Sequence, residues 1–461
     1  MNKPLFDEFP GVSAKMWKQK IQFDLKGGNY NSLIWNTPGG IDVKPFYHAD
    51  TVIPSPPVPQ NTPWKITQHI FVADEGRTNK KIKNILNRGA ESIWLTLPSE
   101  NTDLSGLLKG IDLSSVPLYF DPLFLSPGFV KKLYNRIPAS ENTEIRIHTD
   151  IIGNLACNGN WFYKLKKDHE LLGEICSLSG NFNGVITVDA SRYQNAGATI
   201  VQQLAYAIAH ANEYLNFLDG EGLQNLKKQK IVFKTAIGAN YFFEIAKLRA
   251  LRILWKTLAS EYGALPECHI LAQPTRRNKT LYDYNVNMLR TTTESMSAIL
   301  GGADAVCNLP YDAIYHKDNE FAERMARNQL LILKNESYFD KTNNPADGTY
   351  YIEDITVRLA EKALDIFKQI EAGGGFLKQL KDHTIQKKIK ESARAEQQEF
   401  DEGREVLVGT NKYTNPEDRM KNDLQLYPFV KTNTRKTLIE PIIERRLSEQ
   451  TEQNRLKKET P

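Results

Sequence analysis

Residues 231–311 alternate between strand-like and helix-like segments with very little sequence between them. The run 231–238 (IVFKTAIG) is rich in β-branched residues and ends at a glycine, and 241–263 places apolar side chains at helical spacing. A second strand is predicted at 269–275, a second helix at 285–302 and a third strand at 305–310. Parallel strands joined by helices bury both faces of a sheet. The segment therefore predicts repeated βα units.

The number of such units distinguishes an open sheet from a closed barrel. Five further strands are predicted upstream, at 66–73, 92–98, 116–123, 144–153 and 184–191. The helices between them are predicted at 79–89, 104–110, 127–137, 161–176 and 199–218. Eight successive βα units over about 250 residues have the pattern and the size of a (β/α)8 barrel. The sequence therefore predicts a TIM barrel of the α/β class.

The composition is that of a globular protein and argues against several functions. The net charge of +4 is spread over 59 basic and 55 acidic residues, without the clustered basic face that nucleic acids require. No apolar run approaches the ~20 residues that span a bilayer, and the first residues (MNKPLFDE) are not signal-like. We therefore predict a cytoplasmic protein that binds neither nucleic acid nor a membrane.

The cysteines and histidines do not form a metal-binding pattern. The eight histidines are scattered along the chain. The four cysteines are isolated and lack C-x-x-C spacing: they are Cys157, Cys176, Cys268 and Cys307. Isolated cysteines in such a chain are typically buried apolar thiols. We predict buried thiols and no metal site.

The N-terminal 64 residues differ from the rest and form a predicted arm. It has a helix at 13–26 and a proline-rich extended segment at 51–60. An arm of this kind cannot bury its own apolar residues, so Trp17, Phe23 and Trp35 must pack on the barrel or on another chain.

The C-terminal side divides into helices and a tail. The barrel domain is predicted to occupy 65–413 and to include C-terminal helices at 354–372 and 384–403. The remainder, 414–461, is a charged tail, in which the charge-rich segment 435–458 is predicted to end as a frayed helix.

In a barrel of this kind, chemistry takes place at the C-terminal ends of the strands. The residues that follow the predicted strands are 73–75, 98–100, Asp121, Asp150, 189–194, 238–240, 273–276 and 308–312. Six polar side chains in or beside these stretches are the candidate site residues at the barrel mouth: Asp189, Arg192, Gln194, Asn195, Gln273 and Arg276.

The loops of the predicted barrel carry a long and specific resemblance. Residues 276–304 (RRNKTLYDYNVNMLRTTTESMSAILGGAD) resemble a barrel segment of the methylmalonyl-CoA mutase family. The resemblance continues in 240–252, 324–329, 344–353, 369–376 and 407–413, and extends upstream to 195–198. The motif GIDVKPFY at 40–47 resembles the small, or beta, subunit of the two-chain bacterial enzymes.

This resemblance implies a radical isomerase. Family members use adenosylcobalamin, whose cobalt–carbon bond breaks homolytically, to interconvert methylmalonyl-CoA and succinyl-CoA inside the barrel, a reaction of propionate metabolism. The protein positions the substrate and excludes water. Catalytic chains carry Y-H-M-Q-E-A-G-A after the fifth strand, and the histidine donates a hydrogen bond to the thioester carbonyl. The corresponding stretch 191–198 reads SRYQNAGA, which puts Arg192 at the histidine position.

Arg192 argues against an intact active site. Arginine is longer than histidine, is permanently charged and prefers a carboxylate or phosphate partner. Two interpretations stay open: Arg192 is a solvated or ion-paired residue at a mouth that has lost its task, or it has been reassigned to catalysis. Gln194 and Gln273 match family glutamines and are either remnants or ordinary hydrogen-bonding loop residues.

Two further departures concern the cofactor. The family's Leu-Asp-Glu-Ala turn after the eighth strand, whose Glu faces the adenosyl group, reads YDAI at 311–314, so Ala313 replaces the acid and cannot hydrogen-bond a ribose. The family's cobalamin domain, marked by D-x-H-x-x-G, follows the barrel, but fewer than 50 residues follow Tyr413 and none is histidine. We therefore expect adenosylcobalamin on a partner chain and no cofactor on this one.

These departures predict the non-catalytic small subunit of a heterodimeric mutase, a supporting barrel that binds a large catalytic subunit, with the arm as an intersubunit clasp. The alternative for the arm is that it folds back on its own barrel. The alternative for the function is an autonomous acyl-CoA-binding or acyl-CoA-converting barrel that uses Arg192 and Arg276, either as a regulatory module or as a related mutase such as isobutyryl-CoA mutase. A wide barrel, free of bulky interior side chains, would favour this second function.

Overall fold

The computed structural model describes residues 8–51, 64–137, 143–222, 230–431 and 434–459. Eight parallel strands close into a barrel in which each strand pairs with its neighbours in the chain and the last pairs with the first. The strands are β3 (Lys65–Phe71), β4 (Ser92–Leu97), β5 (Leu118–Pro122), β6 (Ile145–Thr149), β7 (Gly184–Asp189), β8 (Val232–Ile237), β9 (His269–Pro274) and β10 (Ala305–Cys307). The predicted (β/α)8 barrel is confirmed.

Helices surround the barrel and continue beyond it. Those that follow the strands are α2 (Glu75–Leu86), α3 (Leu104–Leu107), α4 (Pro127–Tyr134), α5 (Ile151–Asn158), α6 (Leu165–Ser177), α7 (Ser191–Asn195), α8 (Ile200–Gly220), α9 (Tyr241–Glu261), α10 (Val286–Leu300) and α11 (Glu320–Asn335). Those beyond the barrel are α12 (Tyr350–Ala372), α13 (Phe376–Lys381), α14 (Thr384–Asp401) and α15 (Glu449–Lys458). In the described part of the chain, no helix is long and apolar enough to cross a bilayer.

The strands alternate their side chains between two buried environments. Apolar residues on the outward face pack against the helices and form the large outer core, in which Ile93, Ile147 and Phe233 are fully buried. Residues on the inward face form a separate small cluster around Trp94 and Tyr119. Because both faces of each strand are covered, burial alone does not distinguish the inside of the barrel from its outside.

The boundary between β6 and α5 corrects a prediction. The strand predicted at 144–153 is too long, because Asp150 ends it: its carboxylate accepts a hydrogen bond from the Gly153 amide at 2.7 Å and caps α5. The apolar run that follows Asp150 therefore belongs to a helix. The buried state predicted for all four thiols is also wrong for Cys157, which is partly exposed, whereas the other three are buried.

The helix predicted at the end of the charge-rich segment 435–458 is present as α15. Only α15 is helical, and residues 434–448, which we name the C-terminal strap, are extended across the barrel mouth. Pro441 interrupts the segment, and Ile439, Ile442 and Leu447 are buried. Strap amides donate hydrogen bonds to the carbonyls of Gly159, Ala156, Asn195 and Arg277 at 2.7–3.1 Å. The strap is therefore part of the packed structure around the mouth.

The arm has two parts that pack differently. Its hairpin, β1 (Trp35–Asn36) and β2 (Asp42–Val43), lies on the barrel helices, where Ile41 is buried and the Trp35 ring meets Phe243 edge-on at 5.8 Å. Helix α1 (Ala14–Asp24) has no buried residue. Folding back thus describes the hairpin, whereas Trp17 and Phe23 of α1 are largely exposed, with the Trp17 ring edge-on to Phe46 at 6.4 Å. The remaining part of the predicted arm, 1–7 and 52–63, lies outside the described residues, and the predicted domain boundaries stay predictions.

Candidate functional site at the barrel mouth

The inside of the barrel is filled by aromatic and polar side chains, which together we name the barrel axis. Trp94 lies at its centre, and its indole nitrogen donates to an Asp121 carboxylate oxygen at 3.0 Å. The centroid of the His148 ring lies 5.9 Å from that of the Trp94 ring and 5.6 Å from that of the Tyr119 ring. The Tyr119 hydroxyl in turn shares a hydrogen bond of 3.0 Å with His269. These rings occupy the space along the middle of the barrel.

A buried ammonium group joins two carboxylates at the C-terminal end of the axis. The Lys234 nitrogen lies 3.3 Å from an Asp121 oxygen, 3.1 Å from an Asp189 oxygen and 4.5 Å from the centre of the Trp94 ring. Burial alone would raise the pKa of both carboxyls, but Lys234 lowers the pKa of each below its ordinary value. Burial opposes the charge of Lys234, yet the two carboxylates hold its pKa above the ordinary value. All three groups are therefore charged at neutral pH.

The histidines of the axis are neutral. Burial lowers the pKa of His148 to about 3 and that of His69 to about 4. His69 lies edge-on to Trp94 at 4.8 Å and hydrogen-bonds to the Thr96 hydroxyl at 2.8 Å. These side chains therefore act as packing groups and not as proton donors near pH 7.

Arg192 lies directly above this network on α7, a short helix that the sequence did not predict. Its guanidinium Nε donates to Asp189 at 3.1 Å, and about a third of the side chain is exposed. Asp189 also accepts a hydrogen bond from the Ser191 hydroxyl. Asp189 and Arg192 are thus brought together, and Arg192 is an ion-paired residue at the mouth, one of the two interpretations left open by the sequence.

Two of the candidate residues are engaged in hydrogen bonds with neighbouring elements. The Gln194 amide accepts from Lys247 at 2.9 Å and donates to Glu244 at 3.2 Å, within a buried pair in which Lys247 and Glu244 are 2.5 Å apart. The Asn195 carbonyl oxygen accepts from the Thr275 hydroxyl at 2.7 Å and from the Arg276 amide at 3.0 Å. Both residues therefore connect the α7 turn to its neighbours.

The last two candidates lie at the other side of the opening. Gln273 is partly exposed and lies 3.8 Å from the Cys307 sulfur, on the axis side of β9. Arg276 is exposed and lines a cleft together with Ala313, at the position where the family has its acid, and Glu444 from the strap. The six candidates thus form no single constellation: Asp189 and Arg192 belong to the axis network, and Arg276 belongs to the cleft.

The sequence reasoning missed Lys234, His148 and Glu444. A signal for His148 was present: in β4, β5 and β6, polar or aromatic residues recur at every second position within largely buried strands, as in Tyr119-Phe-Asp121 and Arg146-Ile-His148. Such a period marks a polar interior face. Lys234 is the one polar residue on its face of β8, and no pattern in the charge-rich tail indicates that Glu444 returns to the mouth.

Comparison with known proteins agrees with the barrel and its loops. The family model described as methylmalonyl-CoA mutase matches residues 99–458. The chain belongs to the methylmalonyl-CoA mutase family. It is 34% identical to the methylmalonyl-CoA mutase small subunit of Porphyromonas gingivalis over 446 residues, which cover 89% of this chain and 71% of that one. The resemblance seen in the sequence is confirmed.

Relatives from one organism include both kinds of mutase subunit. The small subunit of Streptomyces virginiae is 30% identical over 88% of this chain and 71% of its own length. The large subunit of the same organism is 26% identical over 90% of this chain and 64% of its own length. The methylmalonyl-CoA mutase family is a family of isomerases, and this chain is more similar to its small subunits.

Proposed function

We propose that this chain is the non-catalytic small subunit of a heterodimeric methylmalonyl-CoA mutase. In the complex, a large subunit would hold adenosylcobalamin and interconvert methylmalonyl-CoA and succinyl-CoA. One observation carries the proposal: the barrel axis, through which an acyl-CoA would have to pass, is filled by Trp94, Tyr119 and the Lys234 network.

The filled axis is costly to open. Displacing Lys234 would leave Asp121 without its counter-charge and Asp189 with Arg192 alone, and breaking a buried ion pair destabilises by about 3–5 kcal/mol. Trp94 is fixed by its hydrogen bond to Asp121 and by the Lys234 ammonium over its ring. A substrate would have to repay these interactions before binding. An autonomous acyl-CoA barrel, which requires an open axis, therefore gains no support.

Arg192 does not supply the chemistry of the family histidine. The pair between its Nε and Asp189 holds the guanidinium above the filled axis, so moving it onto a thioester inside the barrel would break that pair. Asp189 in turn is shared with Lys234, which ties Arg192 to the axis. These pairs favour a structural role for Arg192 at the mouth and argue against its reassignment to catalysis.

The residues at the mouth do not fit adenosylcobalamin. Ala313 has no group that can hydrogen-bond a ribose, and the strap packs across the opening with its amides bound to Ala156, Gly159 and Asn195. No reaction step is therefore assigned to a cofactor on this chain. The proposal places the cofactor on the large subunit.

Helix α1 is the proposed contact with that subunit. Trp17 is 48% exposed and Phe23 is 78% exposed, on a helix without a buried residue. Apolar side chains on such a helix are usually covered in an assembly. The existence of small and large mutase subunits in S. virginiae supports a large mutase chain as the occupant.

The decisive experiment is a mutase assay with adenosylcobalamin and methylmalonyl-CoA, run with this chain alone, with the large subunit alone and with both. We expect no succinyl-CoA from this chain alone and full turnover from the complex. Turnover by the purified chain without a partner would overturn the proposal.

The α1 contact is tested separately by the double variant Trp17→Ala/Phe23→Ala, with Tyr163→Ala as the control because Tyr163 is a 66% exposed aromatic residue outside the arm. The double variant should weaken association with the large subunit at least about tenfold, since aromatic anchors at interfaces contribute about 2 kcal/mol or more each. Analytical ultracentrifugation measures the association. Equal affinity of both variants would contradict the contact.

A further inference from the structure

A cavity opens at the barrel mouth, and we name it the mouth cleft. It has a volume of about 300 Å³, at the lower end of the range of small-molecule sites. One wall consists of residues that directly follow β9 and β10, and the other consists of 426–431 and of strap residues 444–446. The cleft lies beside the axis and does not enter it.

Basic side chains dominate the lining of the cleft. Five of them contribute to it: Arg276, Arg277, Lys431, Arg445 and Arg446. Three have carboxylate partners, since the Arg277 Nε is 2.6 Å from Glu396, an Arg446 terminal nitrogen is 2.7 Å from Glu452 and the Arg445 Nε is 4.0 Å from Glu449. Within the described ranges, no hydrogen bond is made by the side chains of Arg276 and Lys431. The cleft therefore offers guanidinium and ammonium donors that are free to bind an anion.

Two carboxylates also face the cleft. The Glu449 side chain accepts hydrogen bonds from the backbone amides of Arg446 and Val430, so its charge is already partly satisfied by the chain. Glu444 is exposed on the strap, lines the same cleft as Arg276, and the positive charges of Arg192 and Arg276 lower its pKa against the larger, opposing effect of burial. Glu444 is thus the internal competitor for the Arg276 guanidinium.

The position of the cleft in the fold points to one kind of anion. In (β/α)8 barrels, the loops after the seventh and eighth strands frequently form a phosphate-binding site. Here β9 is the seventh strand of the barrel and β10 is the eighth, and Arg276, Arg277 and Ala313 come from the loops that follow them. Arginine forks match phosphate oxygens in two parallel hydrogen bonds.

We propose that the mouth cleft binds a phosphate group, either as free phosphate or as part of a small phosphate ester, with Arg276 as its principal ligand. The exposed ring of Tyr427 lines the same cleft and offers a face on which the organic part of an ester can stack. The site goes beyond the proposed function and does not depend on it, because it needs neither turnover nor a partner.

The test is calorimetric titration of the full chain at low salt with inorganic phosphate, with adenosine monophosphate and with adenosine. We expect saturable binding of both phosphate probes and none of adenosine. Equal affinities would identify free phosphate as the ligand, and tighter binding of the nucleotide would identify an ester. Absence of binding for both phosphate probes, or binding of adenosine as tight as that of the nucleotide, would overturn the proposal.

Variants locate the binding on the cleft. Arg276→Gln should weaken it at least about tenfold, because a charge-assisted hydrogen bond contributes about 1.5–3 kcal/mol. Glu444→Gln should tighten it by removing the internal competitor. Lys166→Gln, on α6 after the fourth strand and with an 85% exposed side chain, is the matched control and should change nothing. A common thermal midpoint for all three proteins excludes unfolding as the cause, and an unchanged affinity of Arg276→Gln would refute the site.

Discussion

The barrel axis and the outer core are both buried, but different interactions hold them together. The outer core consists of apolar side chains such as Ile147 and Phe233, whose burial is non-directional and whose contacts are individually weak. The axis depends on directed contacts among Trp94, Asp121 and Lys234. Other barrels usually fill this space with branched apolar residues. The difference teaches that the outer core determines whether the barrel forms, whereas the axis determines whether a ligand can pass through the barrel.

The largest expected effect is at Lys234. Replacing it by methionine, as Lys234→Met, keeps the bulk but leaves the largely buried Asp121 without a cation and Asp189 with Arg192 alone, and should lower the free energy of unfolding by about 3–5 kcal/mol. Urea denaturation followed by circular dichroism measures the loss. Lys166→Met, at an exposed position, should change stability by less than about 0.5 kcal/mol.

A triple variant sharpens the same comparison. Replacing all three charges with apolar residues, as Lys234→Met/Asp121→Leu/Asp189→Leu, gives the axis the chemistry of the outer core and should recover most of the lost stability. If the triple variant is as unstable as Lys234→Met alone, the axis depends on its shape and not on paired charge.

As the pH is lowered, protonation should destabilise the axis before it affects the outer core. The pKa of His148 is lowered from 6.5 to about 3 by burial, so the unfolded chain binds a proton in this range that the folded chain does not. Stability is therefore complete above about pH 6.5 and falls by about 1.4 kcal/mol per pH unit for this residue as the pH decreases to 3. Denaturation at stepped pH should show a shallower loss for His148→Gln. Identical acid dependence of the two proteins would contradict a neutral, buried His148.

The smallest effect is expected in the outer core. Ile147→Val removes one methylene from a fully buried position and should cost about 0.5–1.5 kcal/mol, with no change in the acid dependence. The same urea titration measures it. A loss as large as that of Lys234→Met would mean that the two regions do not differ in the way described.

The barrel could be predicted from the sequence because the residues of its outer face follow a regular pattern. The β-branched runs, the glycine stops and the helical spacing of 231–311 are local features, and eight repeats leave few architectures. The predicted strand at 144–153 failed at Asp150, because a helix cap and a strand end are both compatible with an aspartate in that place.

The site was predicted less completely, for a physical reason. Arg192 was identified through the family motif, but its pairing with Asp189 and, through Asp189, with Lys234 joins strands far apart in sequence. The sequence alone does not state which ion pairs form in three dimensions. The mouth cleft could not be predicted because the strap forms one of its walls. The sequence of the strap has neither a helical nor a strand period that would indicate its path.

The strap also bears on the order in which the molecule is built. The Leu438 amide donates a hydrogen bond to the carbonyl of Gly159, which lies far upstream in the chain. Contacts of such long range form late, because closing the long loop between the two residues costs conformational entropy. During synthesis all eight strands precede the strap, so the barrel mouth stays open until residues 438–447 have left the ribosome and docked. We expect the mouth to be the last region to gain protection from hydrogen exchange.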